Sequence, residues 1–250
     1  MLFTNLIQTN LQTSFLGRNI EYFSFTDSTN DDAFTFISDG QVQNGMLIIT
    51  DYQKKGRGRR GNKWISTPGN NLTFSLILEK NKQYDSGLFS ILSGLAIVKG
   101  IQQFTGIKCS LKWPNDIILN DKKIGGILIE TKNDNPYLVI GIGINVNQEE
   151  IPTELEDIAS SLRIEKSNPI QREPLLAFIL NEFEKLYKDG SNKWIENWKK
   201  YCNHINKRIV LNNNKEVVKG LFLDINEDGN AILDIESEQV VIYSGVLEIL

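Results

Sequence analysis

Residues 112–130 of the chain read KWPNDIILNDKKIGGILIE and predict a β-hairpin around which the fold is organised. Two runs rich in β-branched residues are separated by Asn120 and Asp121, which favour a turn. Lys112 precedes the first run and Lys123 opens the second. Such a hairpin would bring these two lysines towards one pocket.

Other apolar runs between turn-forming residues predict a mixed sheet. We expect strands at 43–51, 71–79, 108–119, 124–131 and 137–146. Apolar residues at helical spacing predict two covering helices, at 87–104 and 174–187. A third helix, at 192–201, carries Trp194 and Trp198 four residues apart, a spacing typical of a core-facing side.

Beyond residue 205 the sequence pattern changes to short predicted strands separated by the turns NNN, NEDGN and ESE, which predicts a small β-barrel. The sequence therefore predicts an α+β protein with two domains. Residues 1–204 would form a mixed β-sheet domain covered by helices, and residues 205–250 the C-terminal barrel.

Composition excludes several classes of function. The chain has 250 residues, 40% of them hydrophobic, and a net charge of -4, which gives no global electrostatic case for nucleic acid or an anionic membrane. No apolar run approaches about 18 residues, and the first residues do not resemble a signal peptide, so we expect a cytoplasmic protein. Cys109 and Cys202 are far apart, outside any CxxC, and are predicted to be buried free thiols.

The densest charge run, residues 54–63, contains Gly56, Gly58 and Gly61 at GxGxxG spacing. A dinucleotide-binding fingerprint also requires a helix at the third glycine, whereas helix-breaking residues follow at 68–71. A protein kinase requires HRD and DFG motifs, which are absent, and an RNA-binding loop would interleave aromatic residues. A loop that wraps a small polyanion and a solvated charged loop remain as interpretations.

Three further motifs have both structural and functional interpretations. Pro114 would present Asn115 and Asp116 in a defined turn, where Asn can read a base edge or bind a phosphate and Asp can hold Mg²⁺. Glycines 141 and 143 would leave room on a strand for a ligand or another backbone. DSTN, residues 27–30, is typical of a helix N-cap, with Ser28 or Thr29 at capping-box spacing from an aspartate.

Taken in order, DSTN, QKKGRGRRGNKW, KWPNDI, KIGGILIE and GIGINVN resemble the signature series of biotin protein ligases over residues 27–147. The resemblance implies a catalytic domain like that of class II synthetases and a small SH3-like C-terminal barrel. It also implies that ATP activates biotin to biotinyl-5′-AMP and that biotin passes to a lysine of a biotin carboxyl carrier protein. ATP and biotin would be substrates, with Mg²⁺.

The resemblance also implies roles for particular residues. The biotin end would be held by Ser28, Thr29, Asn30 and Gln53. The carboxylate and phosphate of the adenylate would be covered by Arg57, Gly58 and Arg59, with Lys123 between the carboxylate and the α-phosphate; the catalytic residues would be Lys123, Arg59 and Arg57. The ATP side would use Arg57, Arg59, Trp64, Lys112, Asn115 and Asn145, and Asp116 would contact the metal. Asn62 stands where the family often has a basic residue.

The implied chemistry needs no covalent enzyme intermediate, in keeping with a single histidine, His204, predicted to be remote from the site. The alternatives are a lipoate or octanoate ligase of the same superfamily, a biotin-storage protein and a transcription regulator. Only about 20 residues precede the matched region, too few for a helix-turn-helix domain, so we expect no nucleic-acid partner. We expect no membrane partner either, and the resemblance is compatible with a homodimer.

Overall fold

The fold was analysed in a computed structural model, which describes residues 1–81, 84–132, 135–213 and 216–250. In chain order, the first half contains α1 (Thr4–Asn10), β1 (Ile20–Phe23), α2 (Thr29–Ser38), β2 (Met46–Thr50), β3 (Asn71–Glu79), α3 (Ser86–Thr105), β4 (Ser110–Lys112), β5 (Asp116–Leu119) and β6 (Lys122–Thr131). The second half contains β7 (Tyr137–Asn145), α4 (Leu162–Lys166), α5 (Arg172–Asp189), α6 (Ser191–Tyr201), β8 (Arg208–Asn212), β9 (Val217–Ile225), β10 (Ala231–Ile235), β11 (Glu238–Ile242) and β12 (Val246–Ile249).

The predicted α+β fold is confirmed. Strands β1 to β7 form one mixed sheet in the order β1-β2-β3-β7-β6-β5-β4, in which only β1 and β2 pair in parallel among the described strands. The C-terminal region is a five-stranded antiparallel sheet in the order β11-β10-β9-β8-β12. The domain boundary at residue 204 stays a prediction.

The two faces of the large sheet are covered differently. On β3, Leu72, Phe74 and Leu76 point into the main core together with side chains of α3 and α5, because successive strand residues alternate between faces. The opposite face packs on α2 only at one end, through a smaller cluster that includes Ala33, Phe34, Ile77 and Val139. The rest of that face is left for polar groups.

Most predicted elements exist, with shifted ends and some omissions. The run at 108–119 forms two strands, β4 and β5, and the predicted turn at Pro114 separates them. Helices α1 and α4 and strand β1 were not predicted; all three are short, and α1 buries only Ile7 and has no side-chain cap. Trp194 and Trp198 are buried on α6, which confirms their core role.

By length and composition alone, α3 could cross a membrane. The sequence analysis did not predict this, because it found no apolar run of about 18 residues. However, 72% of its most apolar window is buried inside the protein, so the core accounts for its apolar surface. Both cysteines are free, as predicted. Cys109 is buried, but Cys202 is only partly buried, since it lies at the end of α6 with its Sγ 3.3 Å from the His204 ring.

Candidate active site

A cavity of about 330 Å³ lies on the polar face of the large sheet, a volume typical of small-molecule pockets. The sheet forms its floor, the loop at 53–64 and the turn at 113–115 form its walls, and residues 245–247 of the C-terminal sheet close one side. It is lined by nearly all the predicted site residues: Ser28, Thr29, Asn30, Gln53, Arg57, Gly58, Arg59, Trp64, Lys112, Asn115, Asp116 and Lys123. Asn145 lies outside the lining.

Glycines on β7 give this face its depth. A Cβ atom at Gly141 would lie 2.5 Å from Asn30 Oδ1, and one at Gly143 would overlap the indole of Trp64. The space that the glycines leave is therefore filled by two side chains, in keeping with a tightly packed strand, which is the alternative to room for a ligand or another backbone. The indole of Trp64 packs against the backbone of β7 at Gly143 and lines the cavity.

The neutral end of the cavity is a row of hydrogen-bonding groups around the first turn of α2. Ser28 is the N-cap but makes no side-chain cap bond, so the predicted capping box is wrong. Instead, Thr29 N donates to Gln53 Oε1 over 2.8 Å, and Thr29 Oγ1 lies 3.0 Å from the same oxygen. Because Gln53 Oε1 satisfies a helix N–H group, its orientation is fixed by the backbone.

The row continues beneath the cavity floor. Ser75 Oγ lies 2.7 Å from Thr29 Oγ1 and 2.6 Å from Asn30 Oδ1, and Asn30 Nδ2 donates to Glu130 Oε2 over 2.6 Å. Sequence reasoning missed both Ser75 and Glu130. The signal for Ser75 was present, since Asn71, Thr73 and Ser75 alternate with apolar residues along β3; the sequence gives no comparable signal for Glu130, at the end of β6.

Arg57 closes this end with ion pairs. Its guanidinium donates two bonds to Asp31, of 2.6 and 2.8 Å, and lies 3.2 Å from Glu130 Oε2. The bonds to Asp31 raise the pKa of Arg57 above its usual value. The predicted contact of Arg57 with a carboxylate or phosphate stays a prediction, because here its partners are two protein carboxylates.

The rest of the glycine–arginine loop is folded back on itself. The backbones of Arg57 and Lys63 form an isolated antiparallel β-bridge. Between them, Gly58 N donates to the carbonyl of Asn62 over 2.7 Å around a single turn of 3₁₀ helix. The backbone of Asn62 closes this turn, so this closure does not require a basic side chain there. Arg60 has a positive φ of 56° and donates to the Asn212 carbonyl, which joins the loop to the C-terminal sheet.

The turn at residues 113–115 is held from several sides. Trp113 Nε1 donates to the Gly229 carbonyl over 3.0 Å, and Trp113 N lies 3.4 Å from His204 Nε2. The prediction of a remote histidine is therefore wrong: His204 is fully buried beneath this turn. Burial lowers the pKa of His204 to about 3, so its ring is neutral at pH 7 and can accept from the backbone.

Asn115 is fixed by the same arrangement. Its Nδ2 donates to the Ile127 carbonyl over 2.8 Å, which leaves Oδ1 to accept from Arg59 Nη1 at 3.2 Å. Burial lowers the pKa of the Arg59 guanidinium, although the group remains charged at pH 7. Arg59 is thus held over the cavity by the turn that the sequence singled out.

The other end of the cavity is basic. Besides Arg57, five basic side chains line the cavity, namely Arg59, Arg60, Lys63, Lys112 and Lys123, against one acidic side chain, Asp116. The hairpin does bring Lys112 and Lys123 to one pocket, as predicted. Lys123 Nζ lies 2.5 Å from Asp116 Oδ1, so this carboxylate neutralises part of the positive charge.

The described residues do not form a ready-made metal site. No group of three or more His, Cys, Asp or Glu side chains that could hold a metal lies within the described ranges. Mg²⁺ commonly uses one or two protein carboxylates together with substrate phosphates, so Asp116 could contribute only as one such ligand. Asp116 pairs with Lys123 here, and its contact with a metal stays a prediction.

Asn145 lies at the far end of the polar face. Its Nδ2 donates to the Ser160 carbonyl over 3.0 Å, while Oδ1 is buried without a hydrogen-bond partner among the described residues. Thr73 and Trp64 line the cavity, and Thr73 Oγ1 and Trp64 Nε1 are also buried, with no hydrogen-bond partner in the part of the chain that the structure describes. Unpaired buried groups of this kind are costly unless a ligand or water satisfies them.

Comparison with known proteins agrees with this architecture. The Biotin/lipoate A/B protein ligase family matches residues 22–147, and the Biotin protein ligase C terminal domain matches residues 204–248. The bifunctional ligase/repressor BirA of Bacillus subtilis is 33% identical over 97% of this chain and 78% of its own length. The biotin--[acetyl-CoA-carboxylase] ligase of Mycobacterium tuberculosis is 27% identical over 91% of this chain and 88% of its own length.

Solved structures show the same fold. The biotin protein ligase from Aquifex aeolicus, in complex with biotin and ATP, superposes with a TM-score of 0.82 at 29% identity. The alignment covers 93% of this chain and 99% of that one. The similarity therefore extends over both sheets.

Proposed function

Because this chain belongs to the biotin protein ligase family, we propose that it activates biotin with ATP to biotinyl-5′-AMP and transfers biotin to a lysine of a biotin carboxyl carrier protein. The relatives support the enzyme class, and the Aquifex aeolicus enzyme binds both biotin and ATP. The identity of the acceptor carboxylase is part of the proposal. One relative is named for acetyl-CoA carboxylase.

The observation that carries the proposal is the division of one cavity into a neutral, oxygen-rich end and a basic end. Thr29 and Gln53 offer oxygens to a ureido ring, whose N–H groups are donors. Lys123, Arg59 and Lys112 supply positive charge where a carboxylate and phosphates would meet. A molecule with a cyclic urea at one end and a carboxylate at the other fits this division.

The first step would be attack of the biotin carboxylate oxygen on the α-phosphorus of MgATP. The new oxygen–phosphorus bond forms as the bond to pyrophosphate breaks, and negative charge increases on the pyrophosphate leaving group. Lys123 and Arg59 stabilise this charge, and the walls of the cavity hold the two reactants in line. Mg²⁺ would enter with ATP, with Asp116 as the predicted protein contact.

The second step would be attack of the carrier lysine on the acyl carbon of the adenylate. AMP leaves as the amide forms, and the attacking ammonium group must first lose a proton. The loop at 53–64 covers the cavity and would limit hydrolysis of the mixed anhydride by water. Its connection through Arg60 to the C-terminal sheet supports a role for both domains in this covering.

The test is ³²P-pyrophosphate/ATP exchange by the purified chain with biotin, lipoate or octanoate as the acid. Exchange with biotin alone supports the proposal. Exchange with lipoate or octanoate alone would identify the related ligase, and biotin binding without exchange would identify a storage protein. Transfer is then measured by mass spectrometry of a biotin carboxyl carrier domain and of its variant with the acceptor lysine changed to arginine.

The cytoplasmic location, the homodimer and the absence of nucleic-acid and membrane partners stay predictions. Gel filtration with light scattering tests the predicted homodimer. A dimer would be seen as about twice the chain mass of 28.4 kDa.

A further inference from the structure

The polar row beneath the cavity has fewer protons than oxygen–oxygen contacts. Three contacts link Gln53 Oε1 to Thr29 Oγ1 (3.0 Å), Thr29 Oγ1 to Ser75 Oγ (2.7 Å) and Ser75 Oγ to Asn30 Oδ1 (2.6 Å). Amide oxygens only accept, so the two hydroxyl groups supply the only protons. Two protons cannot fill three contacts, and one pair of oxygens is left without a hydrogen between them.

The position of that gap follows from Glu130 together with the lengths of the three contacts. A carboxylate only accepts, so the group of Asn30 that lies 2.6 Å from Glu130 Oε2 must be its NH₂. The Asn30 oxygen therefore faces Ser75. The contacts of 2.6 and 2.7 Å have the usual length of an O–H···O hydrogen bond, whereas the contact of 3.0 Å is at the upper end of that range, so we assign the two protons to the two shorter contacts. The Ser75 proton then points towards Asn30, whose oxygen can only accept. Since Ser75 then offers only lone pairs to Thr29, their contact takes the Thr29 proton.

Thr29 Oγ1 and Gln53 Oε1 are thus left facing each other without a proton, in the longest contact of the three. Both residues line the cavity, whereas Ser75 and Glu130 do not. Gln53 cannot relieve the mismatch by turning its amide over, because its oxygen accepts from Thr29 N. The cavity accordingly presents two acceptors that an incoming N–H group can satisfy.

We propose that Ser75 and Glu130 are positioning residues that set the direction of this hydrogen-bond row, so that Thr29 and Gln53 select a ligand carrying an N–H donor. The inference rests on the proposed function, in which the donor is a ureido N–H of biotin. Neither residue touches the ligand in this account. Ser75 is fully buried, and its removal would free the Thr29 proton to turn towards Gln53 or the ligand.

The experiment compares equilibrium binding of biotin with that of cyclic carbamate analogues, in which one or other ureido N–H is replaced by a ring oxygen. Isothermal titration calorimetry without ATP measures both affinities for the unaltered chain and for Ser75→Ala. We expect the unaltered chain to prefer biotin over one analogue by at least about tenfold, since that analogue places a third lone pair against two acceptors. In Ser75→Ala the freed Thr29 proton can donate to the ring oxygen, so the preference should fall by about three- to tenfold.

Two further variants separate positioning from packing. Ser93→Ala removes another fully buried serine, bonded only within α3, and should keep the full preference. Glu130→Gln lets the Asn30 amide turn over and should lower the preference in the same direction as Ser75→Ala, in a chain with no new space in its core. Thermal unfolding checks that each variant is folded.

The outcomes separate the two proposals. If the unaltered chain binds biotin but shows the same ratio of affinities as Ser75→Ala and Glu130→Gln, the positioning roles are wrong and the proposed function stands. If the unaltered chain does not bind biotin, both are wrong. If Ser75→Ala does not fold, an unchanged ratio in Glu130→Gln is sufficient to overturn the inference.

Discussion

The two faces of strand β3 share one backbone, but one face packs in the apolar core and the other faces the cavity. Leu72, Phe74 and Leu76 face the helices and are fully buried among apolar side chains. Thr73 and Ser75 lie between them, point the other way, and belong to the cavity wall or to the polar row beneath it. The comparison shows that stability and ligand recognition can be assigned to alternate residues of one strand, and that substitutions on the two faces should have separable effects.

The largest effect is expected on the core face. Phe74→Ala removes a fully buried ring and should lower the free energy of unfolding by about 3–5 kcal/mol, since both transfer energy and packing are lost. Urea unfolding measures this change, and calorimetry on the folded fraction should find biotin affinity within about threefold of the unaltered chain.

Phe25→Ala is the matched control for Phe74. Phe25 is 58% exposed and has Lys54 Nζ 4.1 Å from its ring centre, so its loss should cost about 1 kcal/mol or less. A similar loss of stability from both variants would contradict the assignment of the core to that face. A large loss of biotin affinity in Phe74→Ala alone would show that the two faces are not separable.

The next largest effect is expected at the basic end of the cavity. Lys123→Ala should slow biotin-dependent pyrophosphate exchange by about 10²–10³-fold, because in the proposed mechanism this side chain supplies a positive charge to the reacting phosphate. The melting temperature should change little. Lys122→Ala is the matched control, since the neighbouring side chain instead donates to the Glu156 carbonyl over 2.7 Å. Equal rates for the two variants would remove Lys123 from the mechanism.

A third effect concerns acid stability, away from the cavity. Glu184 on α5 accepts from the backbone at Ser14 and Leu16 and from Lys188 Nζ at 2.7 Å. Burial alone would raise the pKa of Glu184, but the bonds from Lys188 and Ser14 outweigh it and lower the pKa to about 2, from 4.5. A lowered folded-state pKa stabilises the chain above the unfolded value, and this contribution is lost as pH falls through 4.5 towards 2.

Urea unfolding between pH 7 and pH 2 tests this prediction. The unaltered chain should lose stability more steeply below pH 4.5 than Glu184→Gln does, and the two curves should converge near pH 2. Glu196→Gln removes an exposed glutamate from α6 and controls for the change in net charge. Parallel curves for the unaltered chain and Glu184→Gln would show that this carboxylate does not anchor the segment at residues 14–16.

The sequence was sufficient to predict β3 and twelve of the residues that line the cavity. NLTFSLILE predicts a strand by composition, and the ordered motifs place Thr29, Gln53 and Lys123 in one site through their resemblance to a family. The short elements α1, β1 and α4 escaped prediction, because they carry too few periodic residues to be distinguished from loops.

The polar row could not be predicted, because its members are distant in the chain. Asn30 is 45 residues from Ser75 and 100 residues from Glu130. The direction of its hydrogen bonds depends on which atom of the Asn30 amide faces the Glu130 carboxylate, and this is a property of the folded chain. Ser28 is the N-cap residue, as predicted, but the capping box is absent for the same reason, since Gln53 binds the backbone of Thr29 from another segment.

The smallest effect is expected from Thr73, on the cavity face of β3. Its Oγ1 is buried and has no hydrogen-bond partner within the described ranges, so Thr73→Val should leave the ligand-free chain equally stable or more stable by up to about 1 kcal/mol. Thr50→Val is the matched control: Thr50 is also buried, but its Oγ1 donates to the Tyr52 carbonyl over 3.0 Å, so its loss should cost about 1 kcal/mol. Urea unfolding of both variants should therefore give changes of opposite sign. If Thr73→Val destabilises the chain as much as Thr50→Val does, the Thr73 hydroxyl has a partner in solution, and the cavity face is already satisfied before any ligand binds.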